Sequence, residues 1–93
     1  MPYIKETLRT PLNPLIDQLQ QEIAHMEMDN ELLNTEGVLN YIITRLLMKV
    51  YTTPSYSEIN DAIGMLECCK LEYYRTVAVP YEEVKKAENG AVE

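Results

Sequence analysis

From Gly37 to Ser57 this chain carries no carboxylate, and from Val38 to Tyr51 it is apolar around almost the whole circumference of a helix. Only a narrow strip of Asn40, Thr44, Arg45 and Lys49 breaks the apolar surface. A helix of this kind is buried on several sides. One pair of short neighbours cannot cover it, so a second subunit is expected against it. The run is shorter than the roughly 20 apolar residues of a membrane span and holds two cations, so it reads as a core helix.

That helix sits in an acidic protein of net charge −7 and pI about 4.6. Such a balance argues against binding to nucleic-acid polymers, which needs a net basic face. With 93 residues the chain is one small domain, and a domain of that size buries only about 60–65% of its unfolded surface. Disulfides, metals or oligomerisation are the usual supplements. Cys68 and Cys69 are adjacent, diverge by about 100° on a helix and cannot bridge each other there. A single histidine, His25, leaves no Cys/His cluster for zinc. Oligomerisation is the supplement that remains. The opening MPYIKETLRT lacks the apolar stretch of a signal peptide, and unpaired cysteines fit a cytoplasmic protein.

The expected organisation is all-α: an extended arm over 1–12, a helical body over 13–90 and a tail over 91–93. Three main helices are placed at roughly 14–33, 36–52 and 55–78. Asn13 and Pro14 suit the cap and first position of the first helix, along which Leu15, Leu19, Ile23 and Met26 form one apolar face. Thr35 can cap the second. Ser55 and Glu58 form the S-x-x-E capping box of the third, on which Ile59, Ile63, Leu66, Cys69, Tyr73 and Val77 step by three and four. Gly64 within that helix implies close approach of another backbone. Pro80 is expected to stop or kink it and to open a short fourth helix that ends at Gly90.

Every aromatic residue is a tyrosine, seven of them, with no Phe or Trp. A buried tyrosine must find a partner for its hydroxyl, so a plain core would use Phe. Tyrosine suits subunit interfaces and also the stacking of nucleobases. Tyr41, Arg45 and Lys49 are spaced i, i+4, i+8 on one face of the second helix. Lys70 and Tyr74 share a face of the third, with Arg75 beside them. Two such faces can form a cleft for a small phosphorylated ligand, with arginine as the bidentate phosphate partner. The alternative is that the cations pair internally with acids such as Glu67 or Glu72.

Catalysis is not expected. Magnesium-dependent nucleotide hydrolysis in all-α enzymes uses paired carboxylate motifs. Only Glu58-x-x-Asp61 is present here, and the capping box accounts for Glu58. The cysteines lie mid-helix, where a buried structural role is the usual one, and the three glycines, 37, 64 and 90, form no phosphate loop. No metal and no cofactor are expected.

The strings L-N-Y-I-I-T-R-L at 39–46, I-G-M-L-E-C-C-K-L-E-Y-Y-R at 63–75 and P-Y-E-E-V-K-K-A-E-N-G at 80–90, with the opening M-P-Y-I, resemble a family of small uncharacterised proteins of tailed bacteriophages and prophages. The resemblance covers most of the chain outside about 13–36. Members typically have Y-R-R where this chain has Tyr74-Arg75-Thr76, and end on N-G-D-V-Y where it has Asn89-Gly90-Ala91-Val92-Glu93. The resemblance implies a phage accessory protein acting in the cytoplasm of an infected bacterium. It brings no catalytic residues. Small phage accessory proteins often counter host defence, and several sequester nucleotide immune signals within compact oligomers. The alternative is an interaction protein that grips a host protein through its acidic outer face, or through the arm and tail.

The excess apolar surface of the second helix generates the first prediction. Light scattering at micromolar concentration should give a multiple of the 10.8 kDa chain mass. A monomer mass would contradict it.

Overall fold

The computed structural model describes residues 4–92, and those residues form helices and turns with no strand. In chain order the helices are α1 (Glu6–Arg9), α2 (Asn13–Asp29), α3 (Thr35–Val50), α4 (Tyr56–Tyr73), a π-helical turn (Tyr74–Ala78) and α5 (Val79–Asn89). The chain divides into two compact units, Met1–Thr52 and Thr53–Glu93. The all-α reading therefore holds, with helix ends displaced by up to five residues.

In the first unit residues 4–12 depart from the expected extended arm. Glu6–Arg9 is a helical turn, with Leu8 and Arg9 donating to Lys5 O and Thr10 donating to Glu6 O. Proline restricts its own position and the one before it, and the run between Pro2 and Pro11 is free to coil. Residues 1–3 of the arm, Tyr3 among them, lie outside the described residues, as does Glu93 of the tail.

α2 begins one residue early, at Asn13, with Leu12 at the cap position and no side-chain cap bond. α3 is capped by Asn34 and not by Thr35: Asn34 Oδ1 accepts the Gly37 N–H at 3.0 Å. Thr35 instead donates its hydroxyl to Glu27 Oε2 at 3.2 Å, which ties the start of α3 to the end of α2. Asn is as good an N-cap as Ser, and here it stands one residue nearer the turn. A Cβ at Gly37 would stand 3.0 Å from Asn34 Nδ2, so a larger residue there would push the capping amide aside by a few tenths of an ångström.

In the second unit Ser55 Oγ accepts the Glu58 N–H at 3.2 Å, the expected cap. The Glu58 carboxylate reaches two residues further back than a capping box requires, past Ser55 to the Thr53 N–H at 2.9 Å. Pro80 does not stop the helix. It has no N–H for the carbonyl four residues back, and its ring would crowd that carbonyl. The backbone widens into a π-turn just ahead, with Val79 N–H bonded to Tyr74 O, and helical conformation continues with Pro80 in the first turn of α5. π-turns are a known way for a helix to absorb such a misfit. Gly90 ends α5 at φ 86°, a left-handed value that favours glycine.

No described residue is buried. α3 was expected to be the most enclosed helix, and its Val38, Ile42 and Leu47 are only half-buried while Met48 and Val50 remain 65% and 70% exposed. Cys68 and Cys69, expected to be buried, are exposed. Short helices cannot surround one that is apolar on all sides. Gly64 also lacks the close backbone neighbour expected of it, since nothing lies within 4 Å of a Cβ built there.

Gly64→Ala should accordingly stabilise the protein by about 1 kcal/mol, while Ser55→Ala should cost about 1 kcal/mol. Urea melts of the two variants check both. A destabilising Gly64→Ala would mean that a second backbone does pass over α4.

Candidate functional site

The site grows from the row Tyr41, Arg45 and Lys49 on α3, which the helical repeat places one turn apart. Arg45 lies over the Tyr41 ring at 5.8 Å from its centroid. Its Nη1 donates to the Tyr41 hydroxyl at 3.4 Å, long for a hydrogen bond. Among the described residues neither Arg45 nor Lys49 forms an ion pair. The cause lies in the sequence, because no acid follows Glu36 on this helix.

All three residues line a groove of about 310 Å³ with Leu19, Ile42 and Leu46. Leu19 comes from α2 and is part of its apolar stripe, so the floor is aliphatic and the walls are an aromatic ring and two cations. A volume near 300 Å³ is at the small end of ligand sites, which combine apolar linings with a few polar groups. The groove is open to solvent.

A second shallow hollow, of about 470 Å³, lies on the other side of Tyr41 and is lined by Glu36, Gly37, Asn40, Tyr41 and Thr44. Thr44 donates its hydroxyl to Asn40 Oδ1 at 3.1 Å, which directs the Asn40 amide N–H groups away from that bond. Tyr41 is thus the shared wall between a cationic groove and a neutral-to-acidic one. Sequence reasoning missed Glu36, Asn40 and Leu19. The first two could have been found from the i, i+4, i+8 row 36–40–44, which runs beside 41–45–49.

Lys70, Tyr74 and Arg75 belong to the second unit, so the described site is that of the first unit alone. Lys70 Nζ lies 3.0 Å from Glu67 Oε1, and Arg75 Nη1 lies 3.5 Å from Glu72 Oε2. Glu72 also accepts from the Thr76 hydroxyl at 3.4 Å. Lys70 and Arg75 are therefore paired within their own unit, whereas among the described residues Arg45 and Lys49 form no ion pair. Exposed pairs at i, i+3 contribute only about 0.2–0.5 kcal/mol and are readily exchanged.

Among the described residues no three His, Cys, Asp or Glu side chains converge as metal ligands. Glu58 of the Glu58-x-x-Asp61 half-motif is held by the helix cap. No described helix is long and apolar enough to cross a membrane.

A family profile matches residues 1–92, nearly the whole chain. The chain belongs to the family described as a domain of unknown function (DUF6899). No curated protein and no solved structure matches it. The geometry of α3 is therefore what informs a functional reading of this DUF6899 domain.

Arg45→Ala should change stability by less than about 1 kcal/mol, the scale of an exposed cation–π contact. Removing one partner of a buried ion pair would instead cost about 3–5 kcal/mol. Chemical denaturation of the variant separates the two.

Proposed function

We propose that this protein binds a small phosphorylated nucleotide at the α3 row, and that it holds the ligand without altering it. The observation that carries the reading is a pair of cations, Arg45 and Lys49, with no carboxylate partner among the described residues, beside the exposed Tyr41 ring over an aliphatic floor. The ring offers a stacking face for a base, and base–aromatic stacking contributes about 1–3 kcal/mol. Arg45 supplies a planar fork for phosphate and Lys49 a mobile point charge. Lys70, Tyr74 and Arg75 of the second unit are proposed as further ligand-binding residues in their own right, with cations that are now paired to Glu67 and Glu72.

Sequestration, as opposed to turnover, is favoured by the chemistry at hand. Hydrolysis requires a group that activates water, and the groove offers a phenol, a guanidinium, an ammonium and aliphatic carbons. With the resemblance to phage accessory proteins, the reading becomes a cytoplasmic sponge for a nucleotide signal of the infected host. The sponge acts as a homo-oligomer, in which subunit contacts cover the exposed apolar residues. Leu39, Met48, Val50, Ile59 and Ile63 are among the exposed residues that such contacts would cover.

A second reading draws on the same exposure. Unpartnered apolar side chains on an acidic protein also suit docking to a host protein, which would be inhibited or modulated.

The test is a thermal-shift screen of cyclic and linear nucleotides, followed by denaturation and recovery of whatever bound. A stabilised complex that releases the nucleotide unchanged, with the shift lost in Arg45→Ala, is the expected result. A magnesium-dependent cleavage product would contradict sequestration and bring Glu58 and Asp61 back as catalytic candidates. Binding to none of the nucleotides would favour the host-protein reading.

A further inference from the structure

Along α4, Tyr56, Ile59, Ile63, Leu66, Lys70 and Tyr73 recur at steps of three, four, three, four and three, the a and d positions of a heptad. Five of the six carry large apolar or aromatic side chains, and those five are 36–82% exposed. The residues of α4 that are half-buried within the chain, Glu58, Ala62 and Glu72, lie about a third of a turn away. The a/d seam is therefore a face that the described residues leave uncovered. It runs from the first residue of α4 to the last. The π-turn that follows widens the backbone and takes Val77 out of the spacing.

We infer that this seam is the self-contact of the homo-oligomer: α4 packs antiparallel on α4 of a second copy, about a two-fold axis between Ile63 and Leu66. The inference rests on the homo-oligomer part of the reading above and names the face that forms it. The register is self-complementary. Setting each a position against a d position of the second copy places Ile63 on Leu66, Ile59 on Lys70 and Tyr56 on Tyr73. The two-fold axis repeats every pair, so all six positions of both helices are used. Aliphatic layers fill the centre and an aromatic pair closes each end. Gly64 stands off the seam, in agreement with the open space around it.

Charge sets the direction of the pair. A parallel pair would stack Lys70 on Lys70 of the second copy in one layer, with no acid at any seam position. The antiparallel pair moves the two lysines to opposite ends, eleven residues or about 16 Å apart along the axis. Each stem lies along Ile59 of the second copy, while its ammonium stays with Glu67, 3.0 Å away at the edge of the seam. Glu58, Asp61 and Glu72 stand off the seam, so two copies meet there without facing carboxylates. A lipid surface does not suit this helix. Amphipathic membrane helices are rich in Lys and Arg on the polar face, and α4 has four carboxylates and one lysine.

The experiment is sedimentation equilibrium of the full chain, wild type and Ile63→Glu, from micromolar concentration upward. Ile63 is exposed within the chain, and circular dichroism verifies that the helices are retained. Ile63→Glu sets a carboxylate against Leu66 of the second copy, and should lower the mass by half or more at equal concentration. Direction is read by oxidising Tyr56→Cys/Tyr73→Cys in a chain that also carries Cys68→Ser and Cys69→Ser. The two positions lie about 25 Å apart along one helix, so no bridge forms within a chain. Peptide mapping of the covalent dimer should join position 56 of one copy to position 73 of the other. An unchanged mass in Ile63→Glu would overturn the α4 seam while leaving the oligomer in place. Linkage of like positions, or no covalent dimer, would overturn the antiparallel register. A monomeric wild type would overturn the oligomer itself, and the seam with it.

Discussion

Two cations on a helix that has no acid after its first turn must be neutralised by something outside that helix or remain in water. Arg45 and Lys49 are in that position, because the chain withholds carboxylates from Gly37 to Ser57 while it is acid-rich elsewhere. Where acids are close in sequence, as around Lys70 and Arg75, the cations pair with them within a single turn. The contrast between the two helices follows from local spacing alone. It makes the α3 row the part of the molecule with unspent electrostatic capacity, next to an aromatic ring and an aliphatic floor that can take the apolar part of an organic anion.

A second constraint is the imbalance between apolar faces and the surfaces available to cover them. α3 is apolar on nearly every side, yet its best-protected residues are half-buried and several of its large side chains are exposed. Marginal small domains resolve such a deficit through assembly more often than through any other route once disulfides and metals are set aside. The proposed oligomer and the proposed site are compatible, since contacts that cover Leu39 and Val50 would occupy a side of α3 that the cationic row does not use.

The sequence carried most of the fold and half of the site, for identifiable physical reasons. Helical periodicity is written in strong apolar spacing, and the positions of α2, α3 and α4 follow from it within a few residues. Caps are decided by a single side chain, and Asn34 competes with Thr35 one position away for nearly equal stabilisation. The π-turn at Tyr74–Ala78 could not be read from periodicity, because it is the backbone's response to Pro80 and leaves the sequence pattern intact. Tyr41, Arg45 and Lys49 were legible because they share one helical row. Glu36 and Asn40 were not, because a carboxylate in the first turn and a mid-helix amide are ordinary features until Tyr41 is seen to border both. A glycine mid-helix implies a contact point, yet the surroundings of Gly64 in the chain are open.

The central claim is that the α3 row faces an external anion. The most direct measurement is a ¹H–¹⁵N correlation spectrum of the full chain recorded during titration with inorganic pyrophosphate, a probe that carries charge and no base. The account predicts saturable shifts concentrated on the Arg45 side-chain N–H and on backbone amides from Tyr41 to Lys49, with weaker ones at Lys70 and Arg75. Shifts confined to the second unit, or spread evenly over every lysine and arginine without saturation, would contradict it.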